Sequence, residues 1–85
     1  MNQFVLIFSV DLENSTKLEH VMMVISRFDE IIEWSCDLDD VDNVLRVVCC
    51  GNISKELSSN LKYAGVCASV LAVYKKTKVG GKLIA

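Results

Sequence analysis

The sequence predicts a two-layer α+β sandwich with six elements in the order βαββαβ. Three observations lead there. Residues 3–10, 31–38, 44–50 and 66–73 are apolar-rich stretches of strand length, three of them with apolar residues in alternation. Residues 16–27 and 53–64 instead repeat apolar residues three and four apart, the period of a helix. The second and third strands are separated only by an Asp- and Asn-rich turn, residues that bond their own backbone and tolerate left-handed geometry.

Each element has its own justification. In the first strand Phe4, Leu6, Phe8 and Val10 form one face, and Val5, Ile7 and Ser9 the other. Both faces are largely apolar, which suits a central strand. Asn14, Ser15 and Thr16 offer three helix caps, and Thr16 with Glu19 fits the capping box. The expected core stripe of this first helix is Leu18, Val21, Met22, Ile25 and Phe28. The second strand sets Ile32, Trp34, Cys36 and Leu38 against Glu33, Ser35 and Asp37, a pattern covered on one side. The third turns Leu45, Val47 and Cys49 inward, with Val44, Val48 and Cys50 opposite, beside Arg46. Gly51 and Asn52 break the strand. Ser54 is the expected cap of a second helix, Ile53, Leu57, Leu61 and Ala64 its stripe, and Gly65 its stop. Two right-handed βαβ crossovers joined by a hairpin make a ferredoxin-like sandwich. Its antiparallel sheet has the order 4-1-3-2, with both helices on one face.

Eighty-five residues make one domain near the lower end of what folds alone. A deep two-lobed catalytic cleft does not fit that size. Asp11 and Glu13 interrupt the first apolar stretch, which is too short to span a bilayer and wrong for a signal peptide. The expectation is a cytoplasmic protein with no membrane partner. Cys36, Cys49, Cys50 and Cys67 show no Cys-x-x-Cys spacing and read as reduced, buried, small apolar side chains. Charge is uneven. In residues 1–73 five basic residues stand against eleven acidic ones, a net −6; residues 74–85 hold four lysines and no acid, a net +4. The acidic body argues against nucleic acid, whose phosphates need a basic face. Residues 1–73 are thus the expected domain, and 74–85 a basic, mobile tail.

With these elements in place the chain resembles the heavy-metal-associated domain, the fold of small copper chaperones and of metal-pump N-terminal domains. The resemblance spans residues 3–73. It rests on the element spacing, on Phe8-x-Val10 before the first loop, on the long hairpin of residues 31–48, and on Leu61-Lys62-Tyr63-Ala64-Gly65-Val66. That last stretch is similar to the family's Leu-x-x-Ala-Gly-aromatic ending. The resemblance places the family's Met-x-Cys-x-x-Cys metal motif with its cysteines at Asn14 and Lys17, or in another register at Ser15 and Leu18. Neither pair supplies the thiolates a soft metal selects. The resemblance therefore implies the fold without the two ligands, a degenerate member of the type with no cofactor.

Other candidate sites each have a plainer role beside the functional one. His20 and Met23 are three apart on the first helix and can face the same way, with Cys36 as a further soft ligand. A tight site needs a third ligand and an orienting shell, so an exposed His20 without a role is the simpler expectation. Cys36 and Cys49 both turn inward on paired strands, where two thiols can meet if their geometry allows. The acidic turn with Asp37, Asp39, Asp40 and Asp42 fails the calcium-loop pattern, since Val41 takes a ligand position. No catalytic constellation is visible around the single histidine. The helix-free sheet face carries Val5, Ile7, Val44, Arg46 and Val48, apolar surface of the kind that marks an interface. The leading expectation is a non-catalytic interaction or regulatory module that docks a protein, or itself, through that face. A metal-handling protein using His20, Met23 or the cysteines is the alternative. A small-ligand-sensing dimer like the ACT domains, which share the element order, is a third.

Overall fold

The computed structural model describes residues 2–12, 15–37 and 43–77. Its elements are β1 (Asn2–Asp11), α1 (Ser15–Ile25), β2 (Ile31–Asp37), β3 (Asn43–Cys49), α2 (Ser54–Tyr63) and β4 (Cys67–Thr77). The sheet order is β2-β3-β1-β4, the predicted order read from the other edge, and every pairing is antiparallel. This is the ferredoxin-like βαββαβ topology.

The core explains the layering. Leu6, Phe8 and Val10 of β1 and Leu45, Val47 and Cys49 of β3 cluster with Val21, Val24 and Ile25 of α1 and Leu57 and Leu61 of α2. One sheet face is thus packed against both helices. The cross-strand pairs Leu6–Val47 and Phe8–Leu45 keep that face continuous across β1 and β3. β1 lies between β3 and β4, and its second face, Val5, Ile7 and Ser9, is the helix-free side of the sheet.

The helices differ from expectation at their starts. Ser15 already belongs to α1, so Thr16 sits in the first turn and cannot form the expected capping box with Glu19. The cap position falls on Asn14, outside the described residues. In α1, Val24 is buried at 2% exposure whereas Met22 is 49% exposed. The stripe therefore runs Val21, Val24, Ile25 and Phe28, the i, i+3, i+4, i+7 series, and Met22 is turned about 100° away from Val21. The cap of α2 is Ile53, not Ser54, and no side chain caps it. Asn52 instead gathers the turn: its Oδ1 accepts from Ser54 N–H at 3.2 Å and from Ser54 Oγ at 2.8 Å. The far end matches the sequence. Gly65 has φ 85°, with Gly65 N–H donating to Lys62 O and Val66 N–H to Leu61 O, both at 2.9 Å. These two bonds are the Schellman ending, and they satisfy carbonyls the helix leaves open.

The strands differ in length and register. β4 continues to Thr77 where the sequence reading ended it at Val73. Tyr74, Lys75, Lys76 and Thr77, placed in the tail by their lysines, pair with Val5, Phe4, Gln3 and Asn2. Residues 78–85 lie outside the described residues, as do Leu38 to Asp42. Two register shifts were not legible. Ile7 pairs with Ala72 and Phe8 with Val70, which leaves Leu71 unpaired at a bulge. A second irregularity between Ile31 and Glu33 leaves Ile32 outside the ladder and 52% exposed, so Ile31 takes the core-side place expected of Ile32.

Candidate functional site

Three places in the fold carry chemistry: the end of the sheet where α1 begins, the groove between the helices, and the helix-free sheet face.

At the first, β1 ends at Asp11 and α1 starts four residues later. Cys36 is the first cysteine in the sequence, so this turn holds no thiol of its own. Lys17, one of the positions to which the resemblance assigns a cysteine, sends its ammonium to Gly65 O at 2.8 Å. That bond ties the first turn of α1 to the glycine that ends α2, and a Cβ on Gly65 would lie 3.1 Å from the same Nζ. Cys67 arrives here from another direction: it opens β4 as the Cα partner of Asp11 and is exposed.

The other cysteines are elsewhere. Cys49 is fully buried in the core, its thiol 3.7 Å from Phe4 O. Burial pushes this thiol up from its ordinary value, and the charges of Cys50 and Glu30 add to the shift against two lowering backbone N–H groups, those of Gly51 and Ile53. Cys36 is raised too, by burial first and by Asp37 second. Both are therefore held as neutral thiols, poor ligands and poor nucleophiles. They do not meet. Cys36 faces Leu45 and Cys49 faces Ile31, so four residues separate them along the ladder. That is about 13 Å of strand, against a Cα separation of at most about 7 Å for a disulfide. Among the described residues no three His, Cys, Asp or Glu side chains gather into a group able to hold a metal.

The second place is a groove of about 240 Å³ lined by His20, Met23, Val24 and Arg27 of α1 and its following turn, and by Asn60, Tyr63 and Ala64 of α2 and its cap. The structure thus brings His20 and Met23 together as the spacing implied, without Cys36. It adds three polar groups that sequence reasoning missed: Arg27, Asn60 and Tyr63. Their common signal was weak, since each becomes a wall only through helix–helix packing. His20 Nδ1 is buried and has no hydrogen-bond partner. A buried polar atom left unmatched costs about 1–3 kcal/mol. Asn60 Nδ2 donates to Glu56 O at 2.7 Å.

On the third, Val5 pairs with Val48, Ile7 with Arg46 and Ser9 with Val44. All five residues expected there do lie on the helix-free face. Val5 and Val48 are nonetheless only 6% and 7% exposed. Their row of the ladder is completed by Glu33 on one side and Tyr74 on the other. Apolar surface on this face is carried by Ile7, Val44 and Ala72, half-buried, and by Tyr74, exposed at 58%. Tyr74 escaped the sequence reading because that strand was expected to end at Val73, four residues short of Thr77. Arg46 Nη1 lies 3.9 Å from Glu33 Oε2, an exposed pair of little energetic weight.

No helix among the described residues is long and apolar enough to cross a membrane. No family model matches the sequence, and no curated protein matches it. Solved structures do match. The yeast copper transporter domain, determined in apo and Cu(I)-loaded states, is similar with a TM-score of 0.69 at 13% identity, over 81% of this chain and 96% of that one. The first domain of the human copper chaperone for superoxide dismutase, in its Cu(I)-loaded form, gives 0.66 at 17% identity, over 85% of this chain and 97% of that one. The apo heavy-metal-associated domain of a copper chaperone for superoxide dismutase gives 0.66 at 17%, over 98% of this chain and 76% of that one.

Proposed function

From the heavy-metal-associated, copper-chaperone-like fold that the chain carries, we propose a non-catalytic interaction module that works without the metal site of its structural neighbours. The observation that supports this is Lys17. A metal site at the start of α1 needs two thiolates; one of the two registers puts an ammonium there instead, fixed to Gly65 O. A positive charge held at that point repels a cation. The second register offers Ser15 and Leu18, neither of which binds Cu(I). Docking in this reading uses the helix-free face, with Ile7, Val44 and Tyr74 as the apolar contact beside Arg46 and the buried pair Val5–Val48 as its rigid floor. The occupant is a protein partner or a second copy.

The test has two arms. Reduced, metal-free protein is titrated with Cu(I) and with Zn(II) while thermal stability is followed. A ligand that binds the folded state alone stabilises it by about 4 kcal/mol at a thousandfold excess over its dissociation constant, so tight binding is easily seen; the expected result is no shift. In the second arm sedimentation velocity is run over a wide concentration range with the wild type and Tyr74→Ser. Concentration-dependent association lost in the variant supports self-docking. A monomer throughout rules out self-docking.

One observation favours the alternative of metal handling with atypical ligands: Cys67 is exposed and paired with Asp11 at the end of the sheet where α1 begins. In that case the Cu(I) shift appears and Cys67→Ser abolishes it.

A further inference from the structure

The groove between α1 and α2 has no part in the proposed docking face. We infer that it binds a small monocarboxylate with an apolar body, its carboxylate held by Arg27 and His20 and its body lying against Met23, Val24 and Ala64.

Charge selects the sign of the ligand. Among the described residues Arg27 is the one permanently charged side chain lining the groove, and guanidinium is the group best shaped for a carboxylate. The same charge argues against the soft metal that His20 and Met23 suggest by spacing alone, and the described lining residues include no carboxylate or thiolate to offset it. Lys62 lines a neighbouring hollow on the other side of Tyr63 and adds to the positive field.

The wall chemistry selects the body. Met23, Val24 and Ala64 are apolar, and Tyr63 presents a ring 92% exposed in the free protein. A bare oxyanion would leave these surfaces wet. The volume of about 240 Å³ is below the roughly 300–1,000 Å³ of sites for drug-sized molecules, so the ligand is small.

His20 supplies the second contact. Its Nδ1 is buried with no partner, so the free protein already carries an unmade hydrogen bond. A half-turn of the ring about χ2 exchanges Nδ1 with Cδ2 and offers the nitrogen a different neighbourhood. An acceptor oxygen arriving in the groove makes that turn favourable.

The test is an NMR titration of the reduced full chain with sodium benzoate, following the His20 ring and the amides of Arg27 and Ala64. The expected result is saturating shifts in the low millimolar range. Arg27→Met, which keeps the stem of an exposed side chain, weakens binding by about tenfold or more, the size of one charge-assisted hydrogen bond. Benzamide, the same shape without the charge, loses a similar factor, and Lys55→Gln on the far part of α2 loses nothing. Non-saturating shifts overturn the assignment, as does undiminished binding to a folded Arg27→Met protein. Inorganic phosphate binding as well as benzoate overturns the apolar half. Saturating shifts of the Met23 methyl with Cu(I), lost in Met23→Leu, overturn it in favour of a metal.

Discussion

Gly65 is where a local backbone requirement meets a long-range contact. Its φ of 85° lies in the region L-residues avoid, and its carbonyl accepts from Lys17 Nζ. Gly65→Ala is expected to lower stability by about 1–2 kcal/mol, measured by chemical denaturation, with a smaller loss for Gly65→Asn, which tolerates the left-handed region. The glycine was legible from sequence because a helix stop after an apolar stripe demands it. The start of α1 was not: three successive residues all cap well, and sequence does not rank them. Cys49 gives a second prediction at this scale. Its folded thiol is raised above the ordinary value of 9.0, so the unfolded chain ionises first as pH rises. The stabilising contribution is complete at neutral pH and is lost as pH climbs through that value and the higher folded one. The melting temperature is therefore expected to fall as pH rises past about 9, and to fall less in Cys49→Val. An equal fall in both proteins removes Cys49 as the cause.

At the scale of elements, burial decides what the helical period leaves open. Leu61 of α2 is fully buried, and Leu61→Ala is expected to cost about 2–5 kcal/mol by urea denaturation. Met22→Ala should stay within about 0.5 kcal/mol because the side chain faces solvent. The reverse ranking would return Met22 to the core stripe. The stripe of α2 was fully legible, since Ile53, Leu57 and Leu61 are separated by polar residues. That of α1 was not, because Val21, Met22, Val24 and Ile25 are all apolar and several faces compete. β4 outran its predicted end for a related reason. Lys75 and Lys76 look like tail, yet β1 begins at Asn2 and leaves backbone groups that residues 74–77 satisfy. The bulges at Leu71 and Ile32 carry no glycine or proline to announce them. Amide exchange offers a check: residues 74–77, paired on one side only, should exchange faster than the β1 amides between β3 and β4.

Across the whole molecule, the strand and helix spacing fixes the topology even at 13–17% identity to solved copper-binding domains. A sandwich fold is set by the period of its apolar residues and by its turns, so most surface positions are free to change. The candidate sites were less legible for the same reason. Sequence parity put Val5, Ile7, Val44, Arg46 and Val48 on one face but could not show that Val5 and Val48 are buried there. His20 and Met23 were visible as a pair, while Arg27, Asn60 and Tyr63 join them only through helix packing. The proposal that this fold works here without a metal turns on the residues at the start of α1. The most direct measurement is Cu(I) affinity by competition with a chromophoric chelator under reducing conditions, comparing the wild type with Asn14→Cys/Lys17→Cys and Ser15→Cys/Leu18→Cys. The account predicts no competition by the wild type and clear competition by at least one double variant. Competition by the wild type itself would contradict it.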